Sequence, residues 1–195
     1  MKPAIMLLTL SFLLFAFITT ADIPLAFSED AEQVLDTFGN PLTPGGRYFI
    51  MPGIRDSSGG GPRPGICGNQ TCPVDVLDYS DPMKSMAVKF TIAADVSTVI
   101  IFTGTPLDIA FEKPECAAGS SKWVVVGNDF PGVWVGIGGS EDHPGNEITS
   151  GSFKIEKDGF CYKLVFCPTS VPRLPPGVCV DVGVGFLSQK SLERN

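Results

Sequence analysis

Nine short runs of β-branched and aromatic residues, separated by turns rich in glycine and proline, constrain this chain to an all-β fold. The runs are 48–51, 86–92, 99–102, 107–111, 123–126, 133–137, 153–156, 162–166 and 178–184. Turn clusters such as Gly39-Asn40-Pro41, Thr43-Pro44-Gly45-Gly46, Gly138-Gly139 and Lys157-Asp158-Gly159 stand between them. Several runs alternate, as Val133, Val135 and Ile137 do against Trp134 and Gly136, so one face can be buried while the other meets water or a second layer. No window carries a helical period of useful length. The 22 glycines and 17 prolines suit a loop-rich sandwich or barrel, and periodicity does not choose between the two.

The N-terminus decides the compartment. Lys2 precedes an apolar run from Ile5 to Ile18, shorter than a membrane span and followed at once by polar or proline-bearing sequence. That is the build of a secretory signal peptide. Cleavage could follow Ala21 or Ser28; Ser28, with Ala26 two residues before it, is preferred, giving a leader of 1–28 and one domain of 29–195. A net charge of −7 argues against nucleic acid and against an anionic membrane surface as partners. All six cysteines fall in the mature part, and an even count in an oxidising compartment reads as disulfides, with fifteen pairings open to six cysteines. A zinc site is disfavoured by the absence of a C-x-x-C pair and by a single histidine, His143, so no metal or cofactor is expected. Asn69-Gln70-Thr71 is a glycosylation sequon, which needs an exposed loop.

Five ordered blocks carry a resemblance. Val34-Leu35-Asp36-Thr37-Phe38-Gly39-Asn40-Pro41-Leu42 leads into Gly45-Gly46-Arg47-Tyr48-Phe49-Ile50. Thr71-Cys72-Pro73-Val74, Phe102-Thr103-Gly104-Thr105-Pro106-Leu107, Ser121-Lys122-Trp123 and Tyr162-Lys163-Leu164-Val165-Phe166-Cys167-Pro168 follow in order. Together they resemble the plant Kunitz (soybean trypsin inhibitor) family over nearly the entire mature chain. The resemblance implies a β-trefoil, a six-stranded barrel capped by three hairpins. It also implies the disulfides Cys72–Cys116 and Cys167–Cys179, and leaves Cys67 and Cys161 either to pair with each other or to remain as two buried thiols. Family members continue past Phe186 with a basic hairpin and a last barrel strand. Gln189 to Asn195 is too short and too polar to supply both, so the expected barrel lacks its last strand, or the sequence is a shortened form of a longer one.

The same resemblance implies a function: a secreted, monomeric inhibitor of serine endopeptidases, of apoplast or vacuole, serving in defence. Members present a convex loop that a protease grips like a substrate. Counted back from Gly104-Thr105-Pro106-Leu107, that loop falls on 95–99, with Val96 before Ser97 at the primary specificity position and Thr98 beyond the scissile bond. Trypsin requires Arg or Lys there, to meet a buried carboxylate in its pocket, and no basic residue lies between Lys89 and Lys113. Weak or absent trypsin inhibition is therefore expected, and a small side chain suits an elastase-like pocket. Pro44 also stands where the family places an asparagine whose side chain braces the loop. The competing reading is a non-inhibitory storage or miraculin-like protein on the same fold. Enzymatic readings would have to rest on His143 alone, whose neighbours Glu141, Asp142, Pro144 and Gly145 read as a solvated turn. Trp123 and Trp134 read as core or barrel-cap residues rather than as a sugar platform, and 56–65 reads as a flexible loop.

Overall fold

A computed structural model describes residues 31–53, 60–66, 71–79, 85–93, 98–113, 120–127, 129, 132–171 and 174–189, with the backbone alone at 79 and 183–189. The chain divides into Met1–Ala31 and a unit spanning Glu32–Asn195, to which every element below belongs. The leader reading of 1–28, together with Asn69, Val96, Ser97, Cys67 and Cys116, lies outside the described residues. Among those described there are eleven strands and no helix. They are β1 (Arg47–Pro52), β2 (Gly61–Gly65), β3 (Asp75–Tyr79), β4 (Val88–Ile92), β5 (Leu107–Phe111), β6 (Trp123–Val126), β7 (Trp134–Ile137), β8 (Ile148–Thr149), β9 (Gly151–Asp158), β10 (Cys161–Pro168) and β11 (Val180–Gln189).

Alternation builds the core. Leu107, Ile109 and Phe111 of β5, Val88 and Phe90 of β4, and Phe153 and Ile155 of β9 point inward, each at most 3% exposed. Their partners on the outer face are polar or half-buried. Each barrel strand is hydrogen-bonded to the next in the order β1-β11-β10-β9-β5-β4, and β4 pairs back to β1 through Arg47↔Lys89 and Tyr48↔Val88, so the barrel closes. A second sheet, ordered β2-β3-β7-β6-β8, lies alongside. A chain of rings joins the two: Phe111 to Trp123 at 5.3 Å between centroids, Trp123 to Phe153 at 6.2 Å, and Phe153 to Phe166 at 5.2 Å.

Four expectations are corrected. The missing last strand is the first: β11 pairs with β10 on one side and with β1 on the other, from Tyr48↔Gln189 to Pro52↔Gly185, and so closes the ring. The run at 178–184 continues as a strand because a central position supplies hydrogen-bond partners on both sides, whatever its polarity. The second is the loop reading of 56–65, part of which is β2. Gly-Pro-Arg-Pro-Gly is tolerated because β2 is an edge strand, where proline's missing donor costs nothing in the ladder. Its glycines are needed for close approach: a Cβ on Gly61 would lie 2.4 Å from Ile50 O, and one on Gly65 would lie 2.1 Å from Leu77 Cδ1. Third, 99–102 joins neither sheet; its partners are the N-terminal segment, through Gln33↔Phe102 and Val34 N–Ile101 O at 3.0 Å. Fourth, His143 is not solvated. It is 2% exposed, with Nε2 3.1 Å from Ile137 O, and it fits because Gly136 beside it has no side chain. The turn bends inward there because the Asp142 carboxylate accepts from Gly139 N at 2.9 Å, tying the loop back on itself.

Cys167 and Cys179 form a disulfide across a separation of 12 residues. Cys72 is disulfide-bonded, and Cys116, the partner that the resemblance implies, lies outside the described residues. Cys161 is a free thiol, so it forms no bond with Cys67; its Sγ faces Gly53 O at 3.8 Å, which gives the half-buried sulfur a weak acceptor.

Candidate functional site

The segment between β4 and β5 leaves and rejoins the barrel at one point, where Ala93 N donates to Pro106 O at 3.1 Å. Thr98, half-buried, is the one residue of the expected Val96-Ser97-Thr98 site that is described. Val99, next to it, is 76% exposed, an apolar side chain held out to solvent. Two residues on, Ile101 is fully buried, so the chain dives from surface to core within one turn of the path.

What holds this stem is a set of backbone hydrogen bonds from segments distant in sequence. Ile101 N donates to Leu42 O at 2.8 Å while its carbonyl accepts from Val34 N. Thr103 N donates to Glu32 O at 2.8 Å, and Thr103 Oγ1 accepts from Glu32 N at 3.0 Å. Gly104 turns with φ at 75° and donates to Ile155 O at 2.9 Å, fixing the stem to β9. The outgoing arm is tied as well: Gly45 N donates to Phe90 O at 2.8 Å. Stems tied in this way have already lost conformational freedom that a binding partner then need not supply.

The turn that makes the Gly45 contact is itself anchored. Tyr48, 1% exposed, sends its hydroxyl back to accept from Thr43 N at 2.8 Å, and Gly46 N closes the turn on Thr43 O at 3.1 Å. Gly46 has to be glycine, because a Cβ there would lie 2.6 Å from the Tyr48 hydroxyl. Upstream, the buried Asp36 carboxylate accepts from Phe38 N at 2.9 Å and Asn40 N at 2.8 Å, an Asx turn that brings Pro41 back beside Leu35. Pro44, within the anchored turn, has no side-chain donor to offer the loop. Backbone contacts from Leu42 and Gly45 hold the stems instead.

Residues 34–193 match the family model described as trypsin and protease inhibitor, of Kunitz legume type. The chain belongs to the Kunitz legume inhibitor family. It is 53% identical over 189 residues to a Kunitz-type trypsin inhibitor-like 2 protein of Pisum sativum, covering 94% of this chain and 82% of that one. It is 42% identical over 143 residues to the Kunitz-type elastase inhibitor BrEI of Bauhinia rufa, covering 71% and 98% respectively. Among solved structures, a Kunitz-type trypsin inhibitor of Cicer arietinum superposes with a TM-score of 0.68 at 41% identity, covering 82% of this chain and 93% of that one. Soybean trypsin inhibitor, a β-trefoil, superposes as well, so this Kunitz protein has that fold.

Sequence reasoning missed the hydrogen bonds that hold 101–104, beside the expected loop. Glu32 and Gln33 lie outside every motif, and Thr103, though within the Phe102-to-Leu107 block, carries no sign of its partner; only folding brings 32–34 against 101–103. Among the described residues no group of three His, Cys, Asp or Glu could hold a metal ion, and no helix is long and apolar enough to cross a membrane.

Proposed function

We propose that this Kunitz protein is a secreted inhibitor of serine endopeptidases that presents 95–99 to the protease, with Ser97 in the specificity position and Thr98 beyond the scissile bond. The observation that carries the reading is the double anchoring of the loop: Gly45 N to Phe90 O on the outgoing arm, and the Ile101 and Thr103 contacts to Leu42, Val34 and Glu32 on the return. Such bracing keeps a cleaved loop in place, so that cleavage is readily reversed and release is slow. Serine is small and uncharged. It favours a protease with a shallow, apolar specificity pocket over trypsin, whose buried carboxylate would be left without a cation. A relative named as an elastase inhibitor supports that choice.

The test is an inhibition panel of pancreatic elastase, chymotrypsin, subtilisin and trypsin with the parent chain and with Ser97→Arg. The expected result is inhibition of elastase at least tenfold tighter than of trypsin in the parent, and a gain against trypsin in the variant. A nanomolar inhibition constant of the parent against trypsin would refute the small-pocket reading. Failure against the whole panel by both forms would favour the non-inhibitory, miraculin-like alternative.

A further inference from the structure

The second sheet does not fully cover the barrel. Between β10 and β11 on one side and β3, β6 and β7 on the other lies a cavity of about 350 Å³, open to solvent at one face. That is within the size range of small-molecule sites. Its floor is aromatic and aliphatic: Trp123 and Phe166, each at most 3% exposed, with the half-buried Leu164 and Val182. Its mouth is different in kind. Trp134 is 40% exposed there, and the exposed Asp78 and Asp181 line the same cavity.

The mouth is also preorganised. Asp75, only 4% exposed, accepts from Trp134 Nε1 at 2.9 Å, so a buried carboxylate holds an exposed indole in a set orientation. Solvent could satisfy that indole N–H without help. Holding it from below leaves the ring as one rigid wall of the cavity, ready to be stacked upon. Of the acidic groups that line the cavity, Asp181 is engaged with Lys163 Nζ at 3.0 Å, and among the described residues no cation pairs with Asp78. The chain as a whole is acidic, at −7. An aromatic floor, an indole wall and a negative mouth together fit a ring that carries a cation.

We propose that this cavity binds small aromatic amines, the ring seated against Trp123 and Phe166 and the ammonium at the mouth between Trp134 and Asp78. Aromatic carboxylates of the same size are excluded by the same charges. The chain's two tryptophans both line the cavity, so its intrinsic fluorescence reads occupancy directly.

The experiment titrates the intact mature protein with 4-phenylbutylamine and, separately, with 5-phenylpentanoate, following tryptophan fluorescence and isothermal titration calorimetry. A saturable shift with the amine at about millimolar concentration, the range for a ligand of this size, is expected. The carboxylate should bind roughly tenfold more weakly or not at all. Trp134→Ala should weaken amine binding about fivefold or more and Asp78→Asn about threefold, with the urea midpoint of each variant measured alongside, because Trp134→Ala also removes the donor of the buried Asp75 carboxylate. Val182→Phe, which fills the cavity, should abolish binding. No saturable response to the amine up to about 10 mM overturns the proposal, as does equal binding of amine and carboxylate. Full affinity in Trp134→Ala would place any binding elsewhere and overturn it too.

Discussion

His143 and Gly136 show how one residue's identity is set by another's volume. The imidazole is buried against β7 with Nε2 on Ile137 O, and a Cβ on Gly136 would lie 2.5 Å from that Nε2 and 2.7 Å from Val126 Cγ2. Neither neighbour can yield without loss, the first because of its hydrogen bond and the second because Val126 is fully buried. Gly136→Ala should therefore destabilise the protein by about 1–3 kcal/mol, the usual range for overpacking a filled core. Urea denaturation measures it. A change below about 0.5 kcal/mol would mean that the histidine shifts freely and that the packing is looser than drawn here. The sequence signal for this burial is thin: a histidine among Glu141, Asp142, Pro144 and Gly145 has the composition of a solvated turn, and only the inward bend made by Asp142 reverses that reading.

At the scale of elements, β10 is the spine of the barrel, paired through eight residues with β9 and again with β11 across a bulge between Leu164 and Val165. The segment from β10 to β11 is closed by the Cys167–Cys179 disulfide. Cross-linking a loop of this length removes conformational freedom from the unfolded chain worth about 3 kcal/mol. Replacing both cysteines by serine should lower the stability to urea by about that amount, and should leave the proposed protease inhibition at ordinary temperature unchanged, because neither cysteine is among the residues that hydrogen-bond the stems. Loss of inhibition in a still-folded double variant would show that β11 influences the loop through the barrel. The value of β11 itself was hidden in the sequence. Asp181, Gly183, Gly185, Ser188 and Gln189 dilute its apolar pattern, yet a strand with neighbours on both sides is held by its ladder as much as by its side chains.

For the whole molecule, the anchoring of the stems that flank 94–97 is a tertiary property. Its contacts come from Glu32 and Val34, from Leu42 and Gly45, and from Ile155, so no local stretch could be excised and keep the stems in place. A chain beginning at Leu35 would lose three hydrogen bonds at 101–103 and the fully buried side chain of Val34. Leu42 N loses its acceptor, Val34 O, as well; at about 1 kcal/mol for each of the four bonds and about 1.5 kcal/mol or more for the valine, the expected loss is roughly 5–6 kcal/mol. The accompanying signature is kinetic: a bound protease should cleave the truncated chain's loop faster and release it sooner, as read by gel after timed incubation. Unchanged cleavage with lowered stability would mean that Leu42 and Gly45 brace the loop without help from the N-terminal segment.

The sequence by itself determined the class of fold, since runs of β-branched and aromatic residues cut by glycine and proline admit strands and little else. It also determined the family, because five blocks in order are written in residue identity. Tertiary structure alone decided the rest. It made an edge strand of Gly-Pro-Arg-Pro-Gly, closed the barrel with a polar-flecked strand, buried a histidine drawn as solvated, left Cys161 unpaired, and set Trp134 at the mouth of a cavity. Each of these turns on what lies beside a residue in space rather than along the chain. Contact between segments as far apart as Glu32 and Thr103 exists only once the chain has folded, which is why the bracing of the stem at 101–103 is not legible along the sequence.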